Sequence, residues 1–367
     1  MKKGDLLIEK SGGGEKQPVG FVVQYNLDKK ALYANFMAKI ELNSQKVDST
    51  FMNYVFSSLY GVKANIKAFN QTTGIQNLNT SVYLNEVFMY PSLNVQKNIV
   101  NFLNKKIQTI DEIINKKQKM VGLLKVQRQS IITEAVTKGL NPNVEMKGSG
   151  VKWIGEVPEH WDIKKVKYLI QEKLSYGANE SAELDDENLP RYIRITDIDE
   201  LGKLKKETFK SLPLEIANKY VVKKGDVLLA RSGATVGKSY IHKEEKEASY
   251  AGYLIKLRAR TLNLAEYIYY YTNSSLYKQW INSILIQATI QNVSAEKYAN
   301  LSIPVPNNEN EIKSIVSHIK LKEKELLVVI DKLNEQIEKM KEYRQSLIYE
   351  AVAGKIDVRD MELDEVR

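Results

Sequence analysis

Lys3-Gly-Asp-Leu-Leu-Ile-Glu-Lys-Ser-Gly12 returns later in the chain as Lys224-Gly-Asp-Val-Leu-Leu-Ala-Arg-Ser-Gly233. Ile75-Gln-Asn-Leu78 returns as Ile290-Gln-Asn-Val293, and Arg128-Gln-Ser-Ile-Ile-Thr-Glu-Ala-Val136 as Arg344-Gln-Ser-Leu-Ile-Tyr-Glu-Ala-Val352. The three matches keep their order, at offsets of 221, 215 and 216. A period this long is not a solenoid repeat. It means two copies of a whole domain, each followed by a long helix. Two similar surfaces in one chain suit a bipartite target.

The helices are read from spacing. Leu103, Ile107, Ile110, Ile114, Lys117, Val121, Leu124, Arg128, Ile131 and Ala135 step by four and three throughout. Ile319, Glu323, Leu326, Ile330, Leu333, Ile337, Met340, Arg344, Leu347 and Ala351 repeat the series 216 residues on. Each is a heptad seam. A helix of about 40 residues is about 60 Å long. Gly139 and Pro142 stop the first. A narrow apolar stripe needs a partner, and the simplest partner is the other helix, packed antiparallel; a coiled coil between two copies of the chain is the alternative. Lys117, Arg128, Glu323 and Arg344 in the seams are expected to fix register.

The expected fold is α/β in the α+β sense: two mixed domains separated by two long helices packed as an antiparallel coiled coil. The boundaries are 1–96 for the first domain, 97–145 for the central helix and linker, 146–305 for the second domain and 306–367 for the C-terminal helix. Strands are expected at Leu6 to Ile8, Val19 to Tyr25, Tyr192 to Ile195, Val227 to Ala230 and Tyr253 to Leu257. Shorter helices are expected at Thr50 to Leu59 and Leu264 to Leu285.

Composition narrows the function. There is no Cys, so no disulfide or thiolate metal site. His160, His242 and His318 show no ligand spacing, and no metal or cofactor is expected. No apolar run approaches the roughly 18 residues of a membrane span, and the start lacks a signal-peptide core; a soluble, cytoplasmic protein is expected. Net charge is +9, all of it in residues 1–150, where 20 Lys and Arg face 11 Asp and Glu. A basic balance favours a polyanion, although solvated lysine-rich surfaces give the same number.

Enzyme motifs fail. Gly233-Ala-Thr-Val-Gly-Lys-Ser239 has three residues where a P-loop needs four; it reads as a tight loop whose Arg231, Ser232 and Lys238 could meet phosphate. Asp185-Asp-Glu187 reads as a solvated loop rather than a metal site. The run Tyr267-Ile-Tyr-Tyr-Tyr271, with Tyr277 and Trp280, has the spacing of a buried helix face; stacking on bases is the alternative.

Val151-Lys-Trp-Ile-Gly-Glu-Val-Pro-Glu-His-Trp161, the Gly-Asp segment at 223–233 and the helix ending at 344–352 together resemble the specificity subunit of type I restriction–modification enzymes. The resemblance covers essentially the whole chain. It implies two target-recognition domains, each reading half of a split double-stranded DNA site, with the helix pair as a ruler. It also implies two methyltransferase subunits and restriction motor-nuclease subunits as partners, and no chemistry in this chain. One departure stands out: 74 residues run from Val151 to Lys224, but only three precede Gly4. The first recognition domain is therefore expected to be truncated by about 71 residues. A gene split by a frameshift, a recombining cassette, a wrongly chosen start and a protein completed by a chain supplying that part all give this pattern, and a non-functional or silent-cassette fragment is an alternative. A coiled-coil adaptor without a DNA role is a further alternative.

Base reading calls for Arg, Lys, Asn, Gln and Ser on loops beside a rigid scaffold. Candidates in the first domain are Lys10, Ser11, Lys16, Asn70, Gln71, Gln76 and Asn77. In the second they are Arg191, Arg194, Arg231, Ser232, Lys238, Gln287, Gln291 and Asn292. A Gln-Asn pair common to both domains cannot distinguish two half-sites. That pair is expected to cap a turn or helix, with base contacts falling on residues that differ.

Overall fold

The computed structural model describes residues 1–14, 17–72, 74–199, 201–286 and 292–358. In it, both repeats open on the same turn. Gly4 and Gly225 sit at φ 90° and 89°, a region that side chains with a Cβ avoid. The following aspartate folds back: Asp5 accepts the Lys2 amide at 2.7 Å, and Asp226 accepts the Lys223 amide at 2.8 Å. Lys39 pairs with Asp5 at 3.1 Å, and Arg258 grips Asp226 with two bonds of 2.8 and 2.6 Å. The Lys2 amide, followed by Lys39, holds the Asp5 carboxyl below its ordinary range.

The apolar run after each turn becomes the central strand of a sheet. In the first unit, Leu6–Glu9 lies between Val22–Gln24 and Met37–Ile40, antiparallel to both. In the second, Val227–Ala230 lies between Ser239–Ile241 and Leu254–Leu257, and Ser175–Tyr176 extends the sheet. Helix Ser49–Gly61 follows in the first unit, capped by Asp48, which accepts the amides of Thr50 and Phe51 at 2.9 Å.

The expected helix from Leu264 to Leu285 is two helices, Leu262–Tyr271 and Ser275–Ile286. Polar side chains explain the break. Thr272 and Asn273 both donate to the Tyr269 carbonyl, at 2.7 and 2.8 Å, and so compete with the helical ladder. The Ser275 amide donates instead to Thr133. The tyrosine run is core, as its spacing indicated: Tyr267, Tyr269, Tyr270, Tyr271 and Tyr277 are all buried.

The long helices run from Leu93 to Lys138 and from Glu309 to Val352. The chain divides into two compact units, Met1–Val121 with Asp331–Arg367 and Gly122–Ile330, and each unit takes part of each helix. In the first, Asp111 pairs with Arg344 and Lys117 donates to Gln336 at 2.7 Å. In the second, Arg128 pairs with Glu323, and Gly139 lies beside Glu311. Residue numbers climb on one helix as they fall on the other, so the pairing is antiparallel within each unit. The seam residues named above are all buried or half-buried. The first core joins Leu6, Phe51, Leu103, Ile110 and Ile114 to Ile337 and Leu347. The second joins Ile132, Val136 and Trp161 to Tyr267, Ile315 and Ile319.

Candidate nucleic-acid interface

Arg231 follows the central strand of the second unit directly and begins a hairpin loop that returns at Ser239. Its backbone is fixed on both sides: its amide donates to the Tyr253 carbonyl at 3.0 Å, and its carbonyl accepts the Val293 amide at 2.8 Å. Its guanidinium lies over the Tyr176 ring at 4.5 Å, and Nε donates to Asn292 Oδ1 at 3.3 Å. Ser232 is bridged to Asn292. Tyr176 is itself anchored, its hydroxyl accepting the Ala295 amide at 3.0 Å. Arg231, Ser232, Asn292, Tyr176 and Tyr253 thus gather at one end of a rigid sheet.

Sequence reading missed the two tyrosines. Their glycine neighbours carry the signal. A Cβ on Gly177 would lie 2.2 Å from the Tyr250 carbonyl oxygen, and one on Gly252 would lie 2.0 Å from Asn179 Oδ1. Two backbones therefore pack closely here, while the rings of Tyr176 and Tyr253 stay exposed, that of Tyr176 against the Arg231 guanidinium.

A cleft of about 480 Å³ opens beside the loop, with Lys125, Arg128, Lys238, Lys278 and Asn282 in its lining. Arg128 is neutralised by Glu323. Lys238 is half-buried and makes no ion pair among the described residues. Lys278 donates to Gln129 at 3.1 Å; burial, helped by the Arg128 charge, lowers its pKa. A cleft with several ammonium groups around it suits a phosphate.

The first unit repeats this frame with different side chains. Lys10 stands where Arg231 stands: its carbonyl accepts the Leu78 amide at 2.8 Å. Ser11 pairs with Asn77 as Ser232 does with Asn292. Lys10 and Ser11 are half-buried, and Asn70 and Asn77 are exposed on adjacent strands. Gln71 lies on the same strand as Asn70, opposite Gln76. Gln76 turns inward, 3 % exposed, and its Oε1 accepts the Val19 amide at 3.0 Å. It braces a loop from a strand instead of capping a turn or helix.

Two further candidates have internal partners. Arg194 binds Asp197 twice, at 2.7 and 3.1 Å, and donates to the Thr208 carbonyl at 2.9 Å. Arg191 donates to the Lys205 carbonyl at 2.6 Å and lies over Phe209. Both guanidiniums staple the segment from 191 to 209. Lys16, Gln287 and Gln291 lie outside the described residues. No group of three or more His, Asp and Glu is placed to hold a metal ion among the described residues. No helix there is long and apolar enough to cross a membrane.

Comparison with known proteins agrees with this architecture. Residues 158–339 match the family described as the Type I restriction modification DNA specificity domain. The Type I restriction enzyme MjaVIII specificity subunit of Methanocaldococcus jannaschii is 26% identical over 349 residues, covering 91% of this chain and 76% of that protein. The EcoKI specificity subunit of Escherichia coli (strain K12) is 28% identical over 218 residues, covering 55% of this chain and 44% of that protein. A chain from the solved structure "Structural basis underlying complex assembly and conformational transition of the type I R-M system" shares the fold. Its TM-score is 0.67 at 15% identity, over 97% of this chain and 83% of that one. Two compact units, two long helices and these relatives lead to one conclusion: the chain belongs to the specificity subunits of type I restriction–modification systems, their non-catalytic DNA-recognition components.

Proposed function

We propose that this chain reads a split, asymmetric double-stranded DNA site, one half per unit, and presents it to adenine methyltransferase and motor-nuclease subunits in the cytoplasm. The observation that carries this reading is the shared frame with unshared readers. Ser11 with Asn77 and Ser232 with Asn292 hold the same loop, while Lys10 and Arg231 differ at its tip. Such a frame keeps the loop in register on DNA while the variable side chain selects the base. Lys238 and the cleft beside it serve the phosphate backbone.

The test is co-expression with methyltransferase subunits in a strain lacking methylation, followed by single-molecule sequencing for modified adenine. A split motif with a fixed gap is the expected result. No modification and no co-purifying methyltransferase would overturn the reading.

A second prediction concerns the gap. Inserting one heptad at facing positions of both helices adds about 10 Å of rise. At about 3.4 Å per base pair, the gap in the modified motif should widen by about three base pairs, with both half-sites unchanged. An unchanged gap would sink the idea that the helices act as a ruler.

A further inference from the structure

The two repeats differ most where each domain meets the start of its long helix. In the second unit, Ser302–Val305 pairs antiparallel with Asp162–Lys165. Trp161, immediately before that partner strand, is fully buried. Its Nε1 donates to Glu311 at 2.9 Å, and its ring meets Tyr267 edge-on at 6.4 Å. The ring also covers Gly139, the left-handed residue after the central helix, at 3.3 Å from where a Cβ would stand.

The first unit has the acceptor half of this arrangement. Phe88-Met-Tyr-Pro91 stands 215 residues before Ile303-Pro-Val-Pro306. No strand among the described residues pairs with 87–90. Val87 and Met89 are 95 % and 94 % exposed. Gly354, left-handed after the C-terminal helix as Gly139 is after the central one, has nothing within 4 Å of its Cβ position. Between these features lies a groove of about 480 Å³, lined by Met89, Tyr90, Ile99, Val352, Gly354 and Ile356. A second edge is also open. Leu254–Leu257 is covered by Ser175–Tyr176, but its counterpart Met37–Ile40 has only Leu6–Glu9 beside it. In the second unit, one stretch, 161–176, supplies the buried indole and both covering strands.

We propose that this face of the first unit accepts an extended polypeptide segment of the 161–176 type, supplied from outside residues 1–367. It adds a strand to 87–90 and seats a tryptophan in the groove over Gly354. Unpaired strand edges recruit strands by backbone hydrogen bonding, and side-chain pockets set which strand is accepted. Hydrogen-bond alternation makes the orientation specific. The Val166 amide donates to the Leu301 carbonyl, so Ile303 and Val305 fall in the bonded pairs and Pro304 does not. By the same alternation, Phe88 and Tyr90 turn their amides toward the added strand and Met89 does not. The inference rests on the internal repeat and is independent of DNA reading.

The test uses the whole chain and a labelled synthetic peptide with the sequence of residues 151–176. Fluorescence anisotropy should show saturable one-to-one binding, and amide exchange at 86–91 should slow by about tenfold or more. A peptide with Trp161→Ala should bind at least about tenfold more weakly. Tyr90→Pro in the protein, which removes a bonding amide, should abolish binding. Met89→Pro, which reproduces Pro304, should retain it and shows that a proline here is tolerated by the fold. Three results would overturn the proposal: protection confined to 302–305, equal binding of the alanine peptide, or no binding at about 1 mM peptide. Protection of 86–91 that appears without peptide and rises with protein concentration would assign the face to a second copy of the chain and reject the proposal.

Discussion

Glu323→Ala should destabilise the second unit by about 3 to 5 kcal/mol. Glu323 accepts two bonds from Arg128, the one from Nε at 2.8 Å, and a third from the Tyr270 hydroxyl at 3.1 Å. The two charged side chains are only 10 % and 14 % exposed. Burial, with the Glu323 carboxylate next, keeps the Tyr270 hydroxyl protonated and donating. Removing the carboxylate leaves a guanidinium in the helix seam without its counter-charge and a hydroxyl without its acceptor. Trp153, Trp161 and Trp280 all lie in the second unit, so tryptophan fluorescence during urea unfolding reads this unit alone. Asp111→Ala tests the comparison in the first unit. Its pair with Arg344 is more than a third exposed on both sides, and solvent screening limits the loss there to under about 1 kcal/mol.

The same pair predicts a rescue. Replacing Arg128 and Glu323 together by leucine should bring stability back to within about 1 to 3 kcal/mol of the parent, because no buried charge is left unpaired and only the Tyr270 hydroxyl still lacks its acceptor. What the double variant loses is the polar contact that marks one helix register. If the single Glu323 substitution costs less than about 1 kcal/mol by urea unfolding, the pair is a surface feature and the register argument fails.

The helix pair was legible because a seam is a strict arithmetic signal. Arg128, Glu323 and Arg344 were visible as charges inside an apolar series. Asp111 was not, because it lies off the seam, one turn beyond Ile107, the counterpart of Glu323. The repeat holds for the arginines but not for the acids that meet them. The break at Thr272 to Ser274 was hidden for another reason: apolar periodicity continues through it, and only side-chain bonds to the Tyr269 carbonyl expose the turn.

The candidate site was legible in part. Asn292 is 61 residues from Arg231 in sequence and meets it and the neighbouring Ser232 in the fold. Gln76 shows why residue type alone misleads. On strand Ile75–Leu78 the apolar Ile75 faces out and the amide faces in, reversing the usual parity, because the Val19 amide needs an acceptor there. Arg194 was a sound candidate by chemistry, and the buried Asp197 three residues on takes up its guanidinium. Hydrogen-bond partners across a loop leave no periodic trace in a sequence.

On the proposed function, in which the second unit reads one half-site, Arg231→Ala should relax one base position in that half-site and weaken binding to the parent site by about 10- to 100-fold, equivalent to about 1 to 3 kcal/mol. A guanidinium selects a base when it is held in one orientation, and Arg231 is held by Tyr176 beneath it and Asn292 beside it. Tyr176→Ala should then reproduce part of the loss by freeing the side chain; the ring contact is worth about 0.5 to 1 kcal/mol. Lys238→Ala should behave differently, weakening all DNA alike and reducing the slope of log affinity against log salt by about 1. The comparison is made by sequencing modified adenines for each variant and titrating duplexes of the parent and relaxed motifs at two salt concentrations. Lys10→Ala supplies the control in the other unit: it should relax the opposite half-site and leave the Arg231 half intact. If Arg231→Ala weakens binding uniformly and leaves the motif unchanged, the residue belongs with Lys238 as a phosphate contact. Base selection then passes to Tyr253 or to residues outside the described set.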